Sequence, residues 1–124
     1  MTTPSVLFSR CRVFDGHSPE LLETVDVLVE DGRIREMSDQ PIRTSVARVL
    51  PVNGRTLIPG LIDAHWHVVA ADVNLTRLDS MPESLRTAHA RAYLEDALNR
   101  GFTTIRDAGG ADFGLALAVE QGLI

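Results

Sequence analysis

The chain has 124 residues, of which 44% are hydrophobic and 23% charged, proportions of an ordinary globular sequence rather than a disordered or membrane-spanning one. A formal net charge of -5 and a pI near 5.2 leave no clustered basic surface, so neither nucleic acid nor an anionic membrane is expected as a partner. The sequence contains no lysine: its twelve basic side chains, from Arg10 to Arg106, are all arginine.

The single cysteine, Cys11, cannot form an internal disulfide, and Met1 to Ser18 lacks the basic start, apolar run and small-residue cleavage site of a secretory leader. A cytoplasmic location is therefore expected. Leu57 to Ala71 is the most apolar stretch, but Pro59, Asp63 and two histidines break it well short of the roughly 20 residues that a bilayer span requires.

In chain order, Val6 to Phe14 reads as a strand and Asp15-Gly16 as a turn. Val25, Val27 and Val29 alternate with Asp26, Leu28 and Glu30, and Asp31-Gly32 then leads into Arg33 to Met37, a strong hairpin signal. Arg48 to Val52 and Arg55 to Ile58 flank Asn53-Gly54 and predict another pair of short strands around a tight turn. Pro59-Gly60 marks the change of structure type, giving an all-β portion over residues 1–59 and a second portion over 60–124.

Leu61 to Val69 has the apolar character of a strand buried on both faces, except at Asp63, His65 and His67. Ser80-Met81-Pro82-Glu83 has capping-box spacing and predicts a helix from about Met81 to Arg100. The apolar face of that helix is Ala90, Tyr93, Leu94, Ala97 and Leu98, and Gly101 stands at its C-terminal cap. Phe102 to Arg106 reads as another strand, Ala108-Gly109-Gly110 as a loop and Leu115 to Glu120 as a helix. Alternation of strand and helix implies parallel strands joined by crossovers, and two such units fit before Ile124.

Side chains two apart on a strand share a face, so Asp63, His65 and His67 converge while Ala64 and Trp66 point the other way. Two imidazoles at that spacing can tilt onto one divalent ion, zinc suiting neutral imidazole best, although H-x-H alone also fits ordinary strand histidines. Three titratable groups on an apolar strand need compensation, because an unpaired buried charge costs several kcal/mol. Asp107 either orders the loop after its strand or touches substrate. Arg106 either forms a strand-end ion pair or meets a substrate carboxylate, the ion pair being preferred, and Trp66 serves packing. Gly109-Gly110 is not a phosphate loop, since no lysine follows.

The run Ile58-Pro59-Gly60-Leu61-Ile62-Asp63-Ala64-His65-Trp66-His67 resembles the P-G-x-x-D-x-H-x-H signature of the amidohydrolase superfamily. Gly101 to Gly110 is similar to the G-x-T-T-x-R-D-x-G-G stretch of members related to imidazolonepropionases and Xaa-Pro dipeptidases. The resemblance implies an α/β fold: part of a small β-sandwich, then the first two β/α units of a (β/α)8 barrel. His65 and His67 would be metal ligands at the C-terminal mouth, with one or two divalent ions, zinc foremost, activating water for hydrolysis of a C–N bond. Asp63 would support the histidines and Asp107 would lie at the active-site mouth.

The expected substrate is a small amide, lactam or dipeptide, and the parent protein a homo-oligomer. The family's bridging carboxylated lysine or equivalent acid, its later histidines and its catalytic aspartate come from strands beyond the second. No catalytic residue is therefore assigned in this chain, and His17 and His89 fall in the wrong elements to replace the later ligands. The expectation is an N-terminal fragment, inactive alone. The alternative is a non-catalytic relative that serves as a metal-binding or assembly module.

Overall fold

A computed structural model describes residues 4–45 and 47–124; Val46 and the first three residues of the Met1–Ser18 stretch lie outside the described residues. Contacts divide the chain into two compact units that meet between Pro59 and Gly60.

The first unit is built on strand β1, Val6–Val13. It pairs antiparallel with β2, Leu22–Glu30, which pairs antiparallel with β3, Arg33–Ser38. The β2–β3 turn is the predicted one, with Asp31 (φ 49°) and Gly32 (φ 71°) both left-handed and Glu30 facing Arg33. Two left-handed central residues give the primed turn whose twist matches that of the strands.

The second predicted hairpin does not form. Strands β4, Arg48–Pro51, and β5, Thr56–Leu57, both run parallel to β1, β4 beside Val6 to Ser9 and β5 beside Arg12 and Val13. Asn53 (φ 53°) and Gly54 (φ 76°) are left-handed as a turn requires, but the turn offsets the chain without reversing it. Each short strand gains its ladder from β1 instead of from its neighbour.

Opposed irregularities bend the β1–β2 pair. Between Phe8 and Cys11 three steps of β1 face two of β2, and between Cys11 and Val13 the excess passes to β2. Arg10 (φ 53°) and Thr24 (φ 56°) sit in these bulges. The buried carboxylate of Asp26 accepts from Arg10 N–H at 2.8 Å through one oxygen and from Ile42 N–H at 3.0 Å through the other. It thus ties the bulge to the chain beyond β3. Read as one polar position in an alternating strand, Asp26 gave no sign of this burial. Cys11, Val13, Val25 and Val27 form the core, with Phe8, Val29, Val52 and Leu57 packed around them.

In the second unit β6, Leu61–Trp66, and β7, Phe102–Asp107, are parallel, as the alternation predicted. The helix predicted over about Met81 to Arg100 forms, and a shorter, unpredicted one precedes it. A short α1, Leu75–Ser80, starts at Asn74, whose side chain accepts from the Thr76 and Arg77 amides, and α2 runs Glu83–Asn99. Ser80 ends α1, its hydroxyl donating to the Arg77 carbonyl, so it caps nothing in α2; Pro82 is the N-cap residue and offers no side-chain bond. The capping-box spacing was met, but Ser80 is taken up as the last residue of the helix that Asn74 starts.

Gly101 (φ 94°) ends α2 as expected. Val68, Val69 and Ala90 form the core, with Trp66, Leu94, Ile105, Ala111 and Leu115 against it. Leu98, assigned to the apolar face, is 63% exposed, and helix α3, Phe113–Glu120, buries none of its residues. Gly60 lies where any Cβ would collide with the Thr103 side chain, which explains glycine at that point of the β6–β7 pair. Among the described residues no helix is long and apolar enough to cross a membrane.

Asp26→Ala should lower stability by about 3 kcal/mol, because two backbone donors lose a charged acceptor; urea unfolding of the chain measures this. Burial, and secondarily the charge of Asp26, pushes the Cys11 thiol above its ordinary range. A raised folded-state pKa stabilises at pH below the unfolded-state value and ceases to do so as pH climbs through the folded-state value. Unfolding midpoints should accordingly fall between roughly pH 8 and 10, the range in which an unfolded thiol ionises. Cys11→Ala should flatten that slope.

Candidate metal centre

β6 ends at Trp66, which places His65 on its last residues and His67 immediately beyond, where the chain turns through an Ala70 N–H to His67 carbonyl bond of 3.0 Å. Both histidines are exposed. Their ring centroids lie 5.4 Å apart and their planes 78° apart. Two imidazoles sharing one ion at about 2.0–2.1 Å per nitrogen hold their centroids about 5 Å apart at tetrahedral angles, so the pair fits a shared ion. Asp63 lies on the same strand, one carboxylate oxygen accepting from the His65 N–H at 3.0 Å.

β7 brings the second half of the site. Its parallel register sets Trp66 opposite Asp107, and the Ala108 N–H donates to the Trp66 carbonyl at 2.7 Å, so both strands deliver their C-terminal ends side by side. Asp107 uses both oxygens on backbone donors, Val68 N–H at 2.7 Å and Gly109 N–H at 2.8 Å. The Gly109 carbonyl lies 2.8 Å from His67 Nδ1. A carbonyl can only accept, so Nδ1 carries the proton and Nε2 of the neutral ring keeps its lone pair free. That arrangement, one ring nitrogen bound to a backbone carbonyl, is the usual support of a metal-ligating histidine. Gly110 (φ 107°) follows, and a Cβ there would press on the Val69 side chain.

The other residues singled out in the sequence have separate tasks. Arg106 donates to the Ala64 carbonyl at 3.4 Å; the preferred ion pair is not formed among the described residues. Trp66 packs on the core around Val68. His17 sits in a turn where one Asp15 carboxylate oxygen accepts the amides of His17 and Ser18, contacts that hold the Asp15 carboxyl below its usual range. His89 stacks on Tyr93 at 6.0 Å on α2. Among the described residues no three His, Cys, Asp or Glu side chains gather in a metal-holding group. A tetrahedral zinc site needs about four ligands, so the His65–His67 pair could form only part of one. The Gly109 carbonyl escaped the sequence reading, because a backbone acceptor 42 residues away leaves no trace in side-chain pattern.

Residues 56–124 match the sequence profile of the amidohydrolase family. A crystal structure of an amidohydrolase superposes with a TM-score of 0.90 at 48% identity, over 97% of this chain and 29% of that one. A prolidase crystallised with N-methylphosphonate-L-proline gives the same TM-score and coverage at 38% identity. The dihydroorotase of Bacillus thuringiensis (strain Al Hakam) is 30% identical over 68% of this chain and 26% of its own length. The chain therefore spans between a quarter and a third of the length of these relatives. With the profile covering more than half of it, the chain belongs to the amidohydrolase family.

Proposed function

We propose that the chain provides one wall of a divalent-metal hydrolase that cleaves a C–N bond in a small amide, cyclic amide or dipeptide. The observation that carries this reading is the His65–His67 pair at a separation suited to one ion, with His67 Nε2 left free by the Nδ1 bond to Gly109. The prolidase and dihydroorotase similarities support the substrate class.

In this reading residues 1–59 belong to a small β-sandwich and 60–124 begin a (β/α)8 barrel, whose active site lies at the C-terminal ends of its strands. Those ends are where β6 and β7 deliver His65, His67 and Asp107. A bound zinc or similar ion supplies Lewis acidity, which activates water at neutral pH and polarises a carbonyl. The chain's own contribution is positional: His67 presents Nε2, His65 stands beside it at the strand end, and Asp63 holds the His65 amide.

The remaining ligands and the proton-transferring acid come from further barrel strands, so residues 1–124 alone bind without turning over. The exposed apolar residues Ile62, Leu98 and Phe113 accord with such additional elements. Cytoplasmic location and homo-oligomeric assembly of the whole enzyme belong to the same proposal.

The test is a panel of N-acyl amino acids, lactams and Xaa-Pro dipeptides, assayed with the whole gene product before chelation, after chelation and after zinc is restored. Hydrolysis should vanish with the metal, return with it, and fall at least 100-fold in His65→Ala or His67→Ala, the order set by losing a ligand of the activating ion. Turnover indifferent to chelation and to both substitutions contradicts the proposal. A metal-free, inactive product favours the assembly module instead.

A further inference from the structure

Asp107 has an arrangement that ordinary loop capping does not require. One oxygen holds Val68 N–H, the peptide directly after His67, and the other holds Gly109 N–H, in the residue whose carbonyl receives the His67 ring proton. The three bonds are 2.7, 2.8 and 2.8 Å long and close a ring in which the backbone and the imidazole of His67 are both referred to one carboxylate. The carboxylate does not touch the imidazole itself; it fixes the carbonyl that does. The neighbouring backbone permits this, since Ala108 N–H is tied to the Trp66 carbonyl and the left-handed Gly110 turns the chain away.

We infer that Asp107 is a positioning residue for His67: by clamping Val68 and Gly109 it sets His67 as the Nδ1–H tautomer, with Nε2 ready for metal before any metal arrives. The inference rests on the metal reading of His65 and His67 for its purpose, but the tautomer is a property of the metal-free chain. Asp107 accordingly acts through His67, and no contact with substrate is assigned to it. Both carboxylate oxygens are required, so an amide at this position cannot substitute: its NH2 would face an N–H donor.

The experiment is long-range 1H–15N NMR of the histidine rings in the metal-free 124-residue chain, combined with zinc affinity from competition with a chromophoric chelator. Wild-type His67 should be Nδ1–H, with slow amide exchange at both Val68 and Gly109. Asp107→Asn and Asp107→Ala should move His67 toward the Nε2–H form that a free imidazole prefers, and weaken zinc binding about 10- to 100-fold, the usual effect of losing a ligand's supporting contact.

Ala97→Gly, which loosens α2 without touching the site, should lower the melting temperature while leaving tautomer and zinc affinity unchanged. Wild-type His67 in the Nε2–H form overturns the inference without any variant, as does an Nδ1–H signal that persists in both folded Asp107 variants. Failure of the metal reading is distinct: wild type and Asp107 variants then differ in tautomer, yet none binds zinc through His65 and His67.

Discussion

Parallel pairing of β6 with β7 is the constraint on which the candidate centre depends. An antiparallel pair would carry the end of one strand to the start of the other; a parallel pair sets both C-terminal ends together and needs a long crossover between them. Here α1 and α2 occupy that crossover. The pair is closed at both ends, by Leu61 N–H to the Gly101 carbonyl at 2.8 Å at the start and by Ala108 N–H to the Trp66 carbonyl at the finish. Residues 42 apart, His67 and Gly109, become hydrogen-bonded neighbours as a consequence. Val68 and Val69, which follow the histidines directly, are buried in a core with Ala90.

Carboxylates organise irregular backbone in both units. Asp26 holds a bulge residue and a distant loop amide, and Asp107 holds the two segments that frame His67. Each spends its two oxygens on backbone N–H groups, so the cost of removing the charge from water is offset by charge-assisted bonds. The outcomes differ with position. In the all-β unit the carboxylate is buried and its effect is stability, whereas at the strand ends it lies beside an exposed imidazole and its effect is the direction in which that imidazole offers its lone pair.

The sequence disclosed most where a local dihedral demand or a side-chain spacing is specific. Asp31-Gly32 specified a hairpin because both residues must be left-handed and apolar runs flank them on each side. Asn53-Gly54 satisfied the same local demand, yet β1 offered each flanking strand a longer-range partner, which no local signal encodes. Ser80 to Glu83 marked the start of α2 correctly, but Ser80 ends the preceding α1 and does not cap α2. Strand periodicity placed His65 and His67 on one side of the strand, and their rings do lie 5.4 Å apart at its end. Their backbone support was not legible, because it depends on tertiary register. Leu98 reads as a core position by helical period but is exposed, at the edge of an open cavity that it lines with Leu94 and Phe102.

The central claim is that His65 and His67 hold one metal ion together. Zinc K-edge X-ray absorption on the zinc-loaded protein addresses it without reference to turnover. The account predicts a first shell containing two imidazole nitrogens at about 2.0–2.1 Å, with the outer-shell scattering of their rings. That ring scattering should disappear when both histidines are replaced by alanine. A shell made only of oxygen, or a spectrum unchanged by the double replacement, would contradict it.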